Sequence, residues 1–217
     1  MVDHKRLLVE GAKAFGIHLE ERDLNAFILY LRELLKWNQK INLTAIRSER
    51  EIILKHFLDS LSVAPFLSEI SSLLDIGSGA GFPGIPIKIV RPDIDVTLID
   101  SVRKKVDFQR HIIRLLHLKG IEAIHARVQD KPIIQNHKEG FDGVIARAFS
   151  DLHNLLVLSL PFLKEGGVVI AMKGELKGRE IQRLTEGDAI SYRLKKTVSF
   201  NLPFSSLKRI LLMFEKQ

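Results

Sequence analysis

The spacing of hydrophobic residues changes near residue 71, and this change divides the chain into two regions. Before it, apolar residues recur every three or four positions, which is the period of an amphipathic helix. The clearest run consists of Leu24, Phe27, Ile28, Leu31, Leu34 and Leu35. Ser48 and Glu51 have the spacing of a capping box, so we predict that a further helix starts there. Residues 1–70 are therefore predicted to form an N-terminal helical extension.

Short apolar runs alternate with helical patterns in the second region, residues 71–217. Strands are predicted near Leu73–Ile76, Val96–Asp100, Ile121–His125, Gly143–Ala146 and Val168–Met172, and helices are predicted to start near Gly84, Arg103, Ser150 and Glu175. This alternation predicts an α/β fold with a parallel sheet that is covered on both faces. Two last runs, Ile190–Phe200 and Leu207–Phe214, predict a closing antiparallel hairpin. We expect both regions to form one compact unit.

The composition limits the kinds of protein that this chain can be. It has 217 residues, of which 46% are hydrophobic, enough for one α/β domain with a sizeable core. The absence of cysteine excludes a disulfide scaffold and a thiolate metal site, and the histidines show no paired ligand spacing, so no metal is predicted. Charged residues interrupt the N-terminus, and no apolar run approaches the ~20 residues of a membrane span. We therefore expect a cytoplasmic protein without a membrane partner.

The stretch from Leu73 to Pro86 has the pattern of a site for a nucleotide-type cofactor. An apolar strand leads into Asp75, then into closely spaced glycines, and then into a helix start at Pro83. Glycine permits positive φ and lets a ligand approach the backbone closely. A glycine loop between a strand and a helix is typical of nucleotide-binding sites.

Two cofactors fit this loop. The run from Gly79 to Gly84 matches the G-x-G-x-x-G dinucleotide pattern, and Asp100 ends the next strand near the ~20-residue offset of a ribose-binding acid. Asp75, however, would repel a pyrophosphate and would suit a positively charged amino group. From Asp75 the pattern is Asp-x-Gly-x-Gly-x-Gly, which resembles the first motif of class I S-adenosylmethionine methyltransferases. That resemblance implies that the loop wraps the methionine end of the cofactor and that Asp100 binds both ribose hydroxyls.

Cations cluster on the helix that is predicted after Asp100. The candidates for RNA binding are Arg103, Lys104, Lys105, Arg110 and Arg114. The formal net charge of +7 favours a polyanionic partner. A basic helical face beside a cofactor loop suits RNA phosphates, and the alternative interpretation is an ordinary solvated face.

Polar residues at the strand ends extend the candidate site. Ligands of parallel sheets bind at the carboxyl ends of the strands, so Arg147 and Lys173 are predicted to face the transfer site and to hold an anionic substrate. The segment from Arg127 to Gln129 follows the third strand, where chain atoms of this fold meet the adenine edge.

A polar patch of three residues, His56, Asp59 and Ser60, is predicted on one face of a helix. A hydrolase triad is a poor interpretation, because all three would come from one helix turn without a nucleophile elbow. The patch is predicted either to pack over the mouth of the cofactor site or to be plain helix surface.

A series of motifs occurs in an order that resembles one family closely. They are Trp37–Thr44, His56–Ser60, Asp75–Pro86 with Ile89–Pro92, Leu98–Ser101, Arg127-Val128, Arg147–Phe149 and Lys173-Gly174. Together they resemble the RsmG (GidB) family of bacterial small-subunit ribosomal RNA methyltransferases, over roughly Leu24 to Gly174. The resemblance implies a class I methyltransferase fold, with a Rossmann-like seven-stranded sheet and a terminal hairpin. It also implies transfer of a methyl group from S-adenosylmethionine to N7 of one guanine in 16S rRNA.

The same resemblance implies which residues bind the cofactor. They are Asp75, Gly77, Ser78, Gly79, Gly81, Phe82, Asp100, Ser101, Arg127, Val128, Gln129 and Arg147. Arg103 and Gln129 depart from the family pattern, which usually has a glycine and an acid there. Guanine N7 carries a free lone pair, so no general base is predicted, and Arg147 and Lys173 are assigned the positioning of the substrate. The expected partner is 16S rRNA or the small ribosomal subunit, bound by a monomer.

Other functions stay open at this stage. The same fold could act on another RNA or on a small molecule, although the basic helix and the strand-end cations favour RNA. An NAD-dependent enzyme is a further alternative, against which Asp75 argues. An RNA-binding module without catalysis is the last.

Overall fold

Seven β-strands form one central sheet. The structure, a computed structural model, describes residues 2–149, 151–174 and 192–217. The strands are β1 (Ser72–Ile76), β2 (Asp95–Asp100), β3 (Ile121–His125), β4 (Phe141–Arg147), β5 (Leu163–Lys173), β6 (Tyr192–Asn201) and β7 (Lys208–Lys216). Their order in the sheet is β3-β2-β1-β4-β5-β7-β6. Each predicted strand is confirmed within a few residues, except that residues 190 and 191 of the sixth lie outside the described part.

The sheet is parallel except at one end. β1 to β5 pair in parallel, with Asp75 opposite Leu98 of β2 and Ile145 of β4. β7 pairs antiparallel with both β5 and β6, which confirms the predicted closing hairpin. β6 therefore runs in the same direction as β5. The C-terminal ends of β1 to β6 all lie at one edge of the sheet, which we call the carboxyl edge.

Helices connect the strands and form the N-terminal region. They are α1 (Val2–Lys13), α2 (Glu21–Asn38), α3 (Glu49–Ile52), α4 (Asp59–Leu61), α5 (Gly84–Val90), α6 (Arg103–Leu115), α7 (Lys131–Asn136) and α8 (Leu152–Ser159). A π-helical turn, Ile53–Leu58, joins α3 to α4, so residues 49–61 form one continuous helical segment. None of the described helices is long and apolar enough to cross a membrane.

Three helix starts can be compared with the predictions. The starts at Gly84 and Arg103 are confirmed, and the one near Ser150 lies at Leu152, where Asp151 accepts hydrogen bonds from two backbone N–H groups. The helix predicted to start near Glu175 lies outside the described residues. Pro83 precedes the first helical residue rather than occupying it.

The predicted capping box before α3 is wrong in its bonding. Ser48 does occupy the N-cap position, but its side chain makes no capping hydrogen bond. Glu51 instead pairs with Lys55, one turn further along, at 2.5 Å. A capping box forms before α2, where Glu20 and Asp23 bond reciprocally.

Different parts of the chain cover the two faces of the sheet. On one face, which we call the extension face, Leu98 and Ile145 pack in one cluster with Phe27 and Phe57 of the N-terminal region. On the other, the α8 face, the sheet packs against α8. The N-terminal helices and the sheet thus share a core, and the boundary at residue 70 stays a prediction.

Candidate functional site

A cavity of about 460 Å³ opens at the carboxyl edge on the α8 face. It is lined by Ile76, Gly77, Ile99, Asp100, Ser101, Ala126, Arg127, Val128, Gln129, Phe149, Asn154 and Leu158. Six of these residues were predicted to bind the cofactor: Gly77, Asp100, Ser101, Arg127, Val128 and Gln129. The structure therefore brings together residues from the ends of three strands that are neighbours in the sheet.

The glycine loop between β1 and α5 forms one wall of the cavity. Its turn is closed by Gly81 and Phe82, whose N–H groups both donate to the carbonyl of Ser78 at 2.8 Å. Gly81 has φ of +96°, and a Cβ there would lie 2.8 Å from the Tyr30 hydroxyl. Gly77 also has positive φ, yet a Cβ there would meet no atom within 4 Å. The loop is therefore packed tightly on its inner side and open where Gly77 faces the cavity.

Asp75 is fully buried beneath this loop. One carboxylate oxygen, Oδ2, accepts a hydrogen bond from Gly84 N–H at 2.8 Å, and the other, Oδ1, has no partner. Burial raises the pKa of Asp75 to about 7, against the opposing effects of the Gly84 hydrogen bond and the charge of Arg147. A donor that reached Oδ1 would satisfy an acceptor whose isolation otherwise costs free energy.

Asp100 links the loop to the start of α6. Its Oδ2 accepts from Gly79 N–H and its Oδ1 from Val102 N–H, both at 2.8 Å. Each carboxylate oxygen can accept a second hydrogen bond. Since Asp100 also lines the cavity, its carboxylate can still accept hydrogen bonds from ligand hydroxyls.

Gln109 is a residue of this site that the sequence did not reveal. It is fully buried on α6, and its Nε2 donates to Ser78 Oγ at 2.9 Å and to the Gly79 carbonyl at 2.7 Å. Its Oε1 has no hydrogen-bond partner. Gln109 therefore fixes the middle of the glycine loop, and only its position among the buried residues of an amphipathic helix could have hinted at this role.

Phe149, Asn154 and Leu158 were also not assigned to the site. They follow β4 and lie on or just before α8, and they form the wall opposite the glycine loop. An apolar helix face gives no sign of whether it covers a sheet or a ligand, so the sequence could not separate them from core residues.

Arg147 lies at the end of β4 on the extension face, where it is held by several partners. Its guanidinium donates to the Lys55 carbonyl and to His56 Nδ1, each at 3.0 Å, and approaches Asp59 Oδ2 at 3.4 Å. It also lies over the ring of Phe82, 5.1 Å from the centroid. These contacts join β4, the 49–61 segment and the glycine loop, and they occupy the side chain that was predicted to bind cofactor and substrate.

His56 and Asp59 belong to the same buried network. His56 Nδ1 accepts from Arg147, so the other ring nitrogen, Nε2, carries the proton and donates to Thr44 Oγ1 at 2.8 Å. Burial and the charge of Arg147 lower the pKa of His56 to about 3, so the ring is neutral at pH 7. Asp59 also binds Arg209 of β7 at 2.9 Å. The Ser60 hydroxyl donates to the carbonyl of His56, one turn before it, at 2.6 Å.

Lys173 and Arg147 end adjacent strands but do not share a face of the sheet. Arg147 is opposite Met172 in the register of β4 and β5. Because side chains alternate along a strand, Lys173 lies on the other face from Arg147, which is the α8 face. The structure thus separates the two cations that were predicted to form one rim.

The N-terminal region supports the glycine loop through Tyr30. This side chain is fully buried, and its hydroxyl donates to the carbonyl of Ala80. Its ring stacks on Phe82 with the two centroids 5.4 Å apart, and the centroid of the Phe57 ring lies 5.3 Å from that of Tyr30. Phe82 stacks on its other neighbour, His56, at 4.6 Å. Phe82 is therefore a packing residue between the extension and the loop.

The basic residues of α6 lie outside the cavity. Arg103, Lys104 and Arg114 are exposed and Lys105 is half-buried. Arg110 donates through Nε to the Ala123 carbonyl of β3 at 3.0 Å, so part of its bonding capacity is used within the fold. Among the described residues, no group of three or more His, Asp or Glu could hold a metal ion.

The model of one protein family, "rRNA small subunit methyltransferase G" or GidB, matches residues 23–207. The chain belongs to this family. The predicted resemblance and the predicted methyltransferase activity are confirmed, and the alternatives of an NAD-dependent enzyme and a module without catalysis are not supported.

Relatives of this family match nearly the whole chain. Ribosomal RNA small subunit methyltransferase G of Geotalea uraniireducens is 46% identical over 98% of this chain and 96% of its own length. The protein of the same name from Acetivibrio thermocellus is 42% identical over 98% of this chain and 88% of its own length.

Solved structures of methyltransferases share the fold. A SAM dependent methyltransferase from Aquifex aeolicus superposes with a TM-score of 0.58, at 18% identity, over 76% of this chain and 93% of that one. TYW2 of M. jannaschii, in complex with AdoMet, gives a TM-score of 0.53 at 20% identity over 73% of this chain and 75% of that one. At these identities the likeness shows the fold, which confirms the predicted class I architecture.

Proposed function

We propose that this protein transfers a methyl group from S-adenosylmethionine to N7 of a guanine in the 16S rRNA of the small ribosomal subunit. The observation that carries the proposal is the family match over residues 23–207. It coincides with a cavity at the carboxyl edge that presents a glycine loop and a ribose-binding type of acid, Asp100. We further propose that the protein acts as a monomer and in the cytoplasm, where its proposed substrate would be.

Different residues of the site would bind different parts of S-adenosylmethionine. Asp100, with spare lone pairs on both oxygens, would accept hydrogen bonds from the ribose hydroxyls. Ser101 and the segment from Arg127 to Gln129 would surround the adenine. The open side of Gly77 would receive the methionine end. Asp75 does not line the cavity and lies on the extension face, so the amino group would have to pass the glycine loop to donate to its partnerless Oδ1.

No side chain of this site is required as a general base. S-adenosylmethionine supplies a methyl group on a positively charged sulfur, and guanine N7 attacks it with a lone pair that carries no proton. His56 is unsuited to proton transfer, because its two nitrogens are bound to Arg147 and Thr44 and its pKa is about 3. The rate therefore depends on holding the two reactants in line at close distance.

The two strand-end cations take different roles in this proposal. Arg147 is occupied by Lys55, His56 and Asp59, so it positions the extension and the glycine loop rather than the substrate. Lys173 lies on the face of the sheet that holds the cavity and suits guanine O6 or a phosphate. The exposed cations of α6 would contact phosphates further along the RNA.

The cofactor assignment can be tested by calorimetry with S-adenosylmethionine. We expect Asp100→Ala to weaken binding at least about tenfold, because hydrogen bonds to a charged carboxylate are lost. Asp93→Ala is the matched control, since the Asp93 carboxylate pairs with Arg91 after α5, away from the cavity. Its affinity should equal that of the wild type. Equal affinities of the wild type and Asp100→Ala would remove Asp100 from the site, and no binding by the wild type would refute the cofactor.

A further inference from the structure

The loop between β6 and β7, residues 202–207, lies at the same edge of the sheet as the cavity. Lys173 at the end of β5 is opposite Ile210 of β7, and Asn201 at the end of β6 is opposite Lys208. The loop therefore projects beyond the carboxyl edge, next to the end of β5. None of the assignments above gives it a role.

Phe204, in the middle of this loop, has a conformation that its own packing does not explain. Its φ is +61°, in the left-handed region, which is unfavourable for a bulky side chain. Phe204 is 47% exposed, so nearly half of its surface gains nothing from burial. A glycine would adopt this φ without the steric cost. A strained aromatic residue held in solvent points to a ligand.

The rest of the loop is well fixed. Leu202 is buried, and its N–H donates to the Leu207 carbonyl at 2.9 Å. The Leu202 carbonyl accepts from the N–H of Ser205 at 3.1 Å and from its hydroxyl at 3.0 Å. Phe204 is thus presented by an ordered turn, which lowers the entropy that a bound partner would have to remove.

Two lysines lie at the strand ends next to the loop. Lys208, at the start of β7, is exposed, and Lys173 is half-buried at the neighbouring strand end. An exposed aromatic ring beside cations is the combination that binds single-stranded RNA, because bases stack on the ring while cations attract the phosphates. This charge pattern favours RNA over an apolar protein partner.

The distance from the transfer site indicates which base would stack. The register places Arg147, Met172 and Leu211 side by side, so β7 lies two strands from β4, or about 10 Å. β7 begins at Lys208, three residues further towards the carboxyl edge, so the loop lies at least another ~10 Å away. Phe204 is therefore too far from the end of β4 to contact the base that receives the methyl group, but it can reach a neighbouring nucleotide.

We propose that Phe204 stacks on an unpaired base of the ribosomal RNA that flanks the methylated guanine. The inference rests on the proposed function, since it assumes RNA at the carboxyl edge. Phe204 would bind substrate without touching the reacting atoms, so its removal should raise the KM for RNA and leave the binding of S-adenosylmethionine unchanged.

Three variants of Phe204 separate the ring from the backbone. Phe204→Leu keeps an apolar side chain at the strained φ but removes the ring, and Phe204→Trp keeps an aromatic surface. Phe204→Gly removes the ring and also relieves the strain, so we expect its Tm to equal or exceed that of the wild type. The control is Phe66→Leu, because Phe66 is half-buried ahead of β1 and its ring lies against Lys196, in the middle of β6 rather than in the loop that follows it.

The assay is methyl transfer to small ribosomal subunits that lack the modification, with the KM for subunits and kcat measured separately. We expect the KM to rise about tenfold in Phe204→Leu and Phe204→Gly, the size of one lost stacking contact, and to stay within about twofold in Phe204→Trp and Phe66→Leu.

Several results would overturn the inference. An unchanged KM in Phe204→Gly would do so. So would a rise of KM in Phe204→Trp as large as that in Phe204→Leu, or a loss of S-adenosylmethionine affinity in the variants whose KM rises. Failure of the wild type itself to methylate the subunits would instead refute the proposed function, so the two failures can be told apart.

Discussion

Two buried acceptors beside the glycine loop have no hydrogen-bond partner, Asp75 Oδ1 and Gln109 Oε1. Unpaired acceptors in a protein interior are costly, and most folds avoid them. Here both belong to residues that hold the loop in place, because Asp75 accepts from Gly84 and Gln109 donates to Gly79. Asp75 and Gln109 thus fix the loop, and each keeps one oxygen without a hydrogen-bond partner.

The raised pKa of Asp75 makes the stability of the free protein depend on pH. Its pKa is about 7 in the folded protein, whereas an unfolded aspartate titrates near pH 3.9. Between these values the folded protein holds a proton that the unfolded chain releases. The free energy of unfolding should therefore fall as pH rises from about 4 to 7, by a few kcal/mol, and then level off.

Asp75→Asn tests this titration. Denaturant unfolding should show that the free energy of unfolding of the wild type is lower at pH 8 than at pH 5. The difference should be smaller in the variant, which has no carboxyl group there to ionise. S-adenosylmethionine should bind the wild type more weakly at pH 5.5 than at pH 7.5, because binding to the ionised carboxylate releases a proton. The variant should bind at least about tenfold more weakly at pH 7.5. The same pH dependence in both proteins would contradict this account of Asp75.

Arg147 is predicted to contribute to stability through its buried partners. Arg147→Ala should lower the free energy of unfolding by about 3 kcal/mol, because it breaks a buried charge network. The double variant Arg147→Ala, Asp59→Ala should lose less free energy of unfolding than the two single variants lose together, since the two residues share one contact.

A double-mutant cycle measured by denaturant unfolding checks this coupling. Arg6→Ala serves as the control, because the Arg6 pair with Glu10 is exposed and its loss should leave Tm unchanged. Strictly additive effects of Arg147→Ala and Asp59→Ala would show that the network does not act as a unit.

At the scale of elements, the central strands were predictable because they are short apolar runs that the sheet buries on both faces, as in Leu73 and Leu74 of β1. α7 was missed because none of its residues is buried, so its sequence carries no apolar period. The capping box at Ser48 was wrong because Glu51 pairs with Lys55 instead. The spacing of residues along the chain does not show which of two possible partners a side chain such as Glu51 will bind.

The contribution of α2 to the candidate site could not be predicted from the sequence. Tyr30 fits the apolar face of α2 like any core residue, and nothing in its spacing reveals that its hydroxyl meets Ala80, fifty residues later. The same is true of Gln109 on α6. Such contacts depend on how helices pack over the loop, which local patterns do not specify.

Tyr30→Phe tests whether α2 positions the glycine loop. The change keeps the ring stacked on Phe82 and removes only the hydroxyl, which leaves the Ala80 carbonyl without its donor. We expect the affinity for S-adenosylmethionine to fall about two- to tenfold, with kcat unchanged at saturating cofactor.

Tyr192→Phe is the matched control for this change. It loses a hydroxyl that donates to the Leu156 carbonyl at 3.1 Å and makes no contact with the glycine loop. Calorimetry should show an affinity close to that of the wild type for this variant. Equal affinities for Tyr30→Phe and Tyr192→Phe would mean that Tyr30 only packs the core.

For the whole molecule, the sequence was sufficient to predict the architecture and the family but not the arrangement of its cations. The parallel sheet, the closing hairpin and the position of the cavity at the carboxyl edge follow from the order of strands and helices. The separation of Arg147 from Lys173 does not, because it depends on the register of β4 against β5. The shared core of extension and sheet likewise appears only when the helices are packed.

The central claim is that this protein methylates guanine N7 in 16S rRNA with S-adenosylmethionine. The most direct test supplies labelled S-adenosylmethionine and small ribosomal subunits that lack the modification, followed by nucleoside mass analysis of the rRNA. The account predicts that the label is recovered as 7-methylguanosine at a single position of 16S rRNA. Label in a different nucleoside, or none while the cofactor is bound, would contradict it.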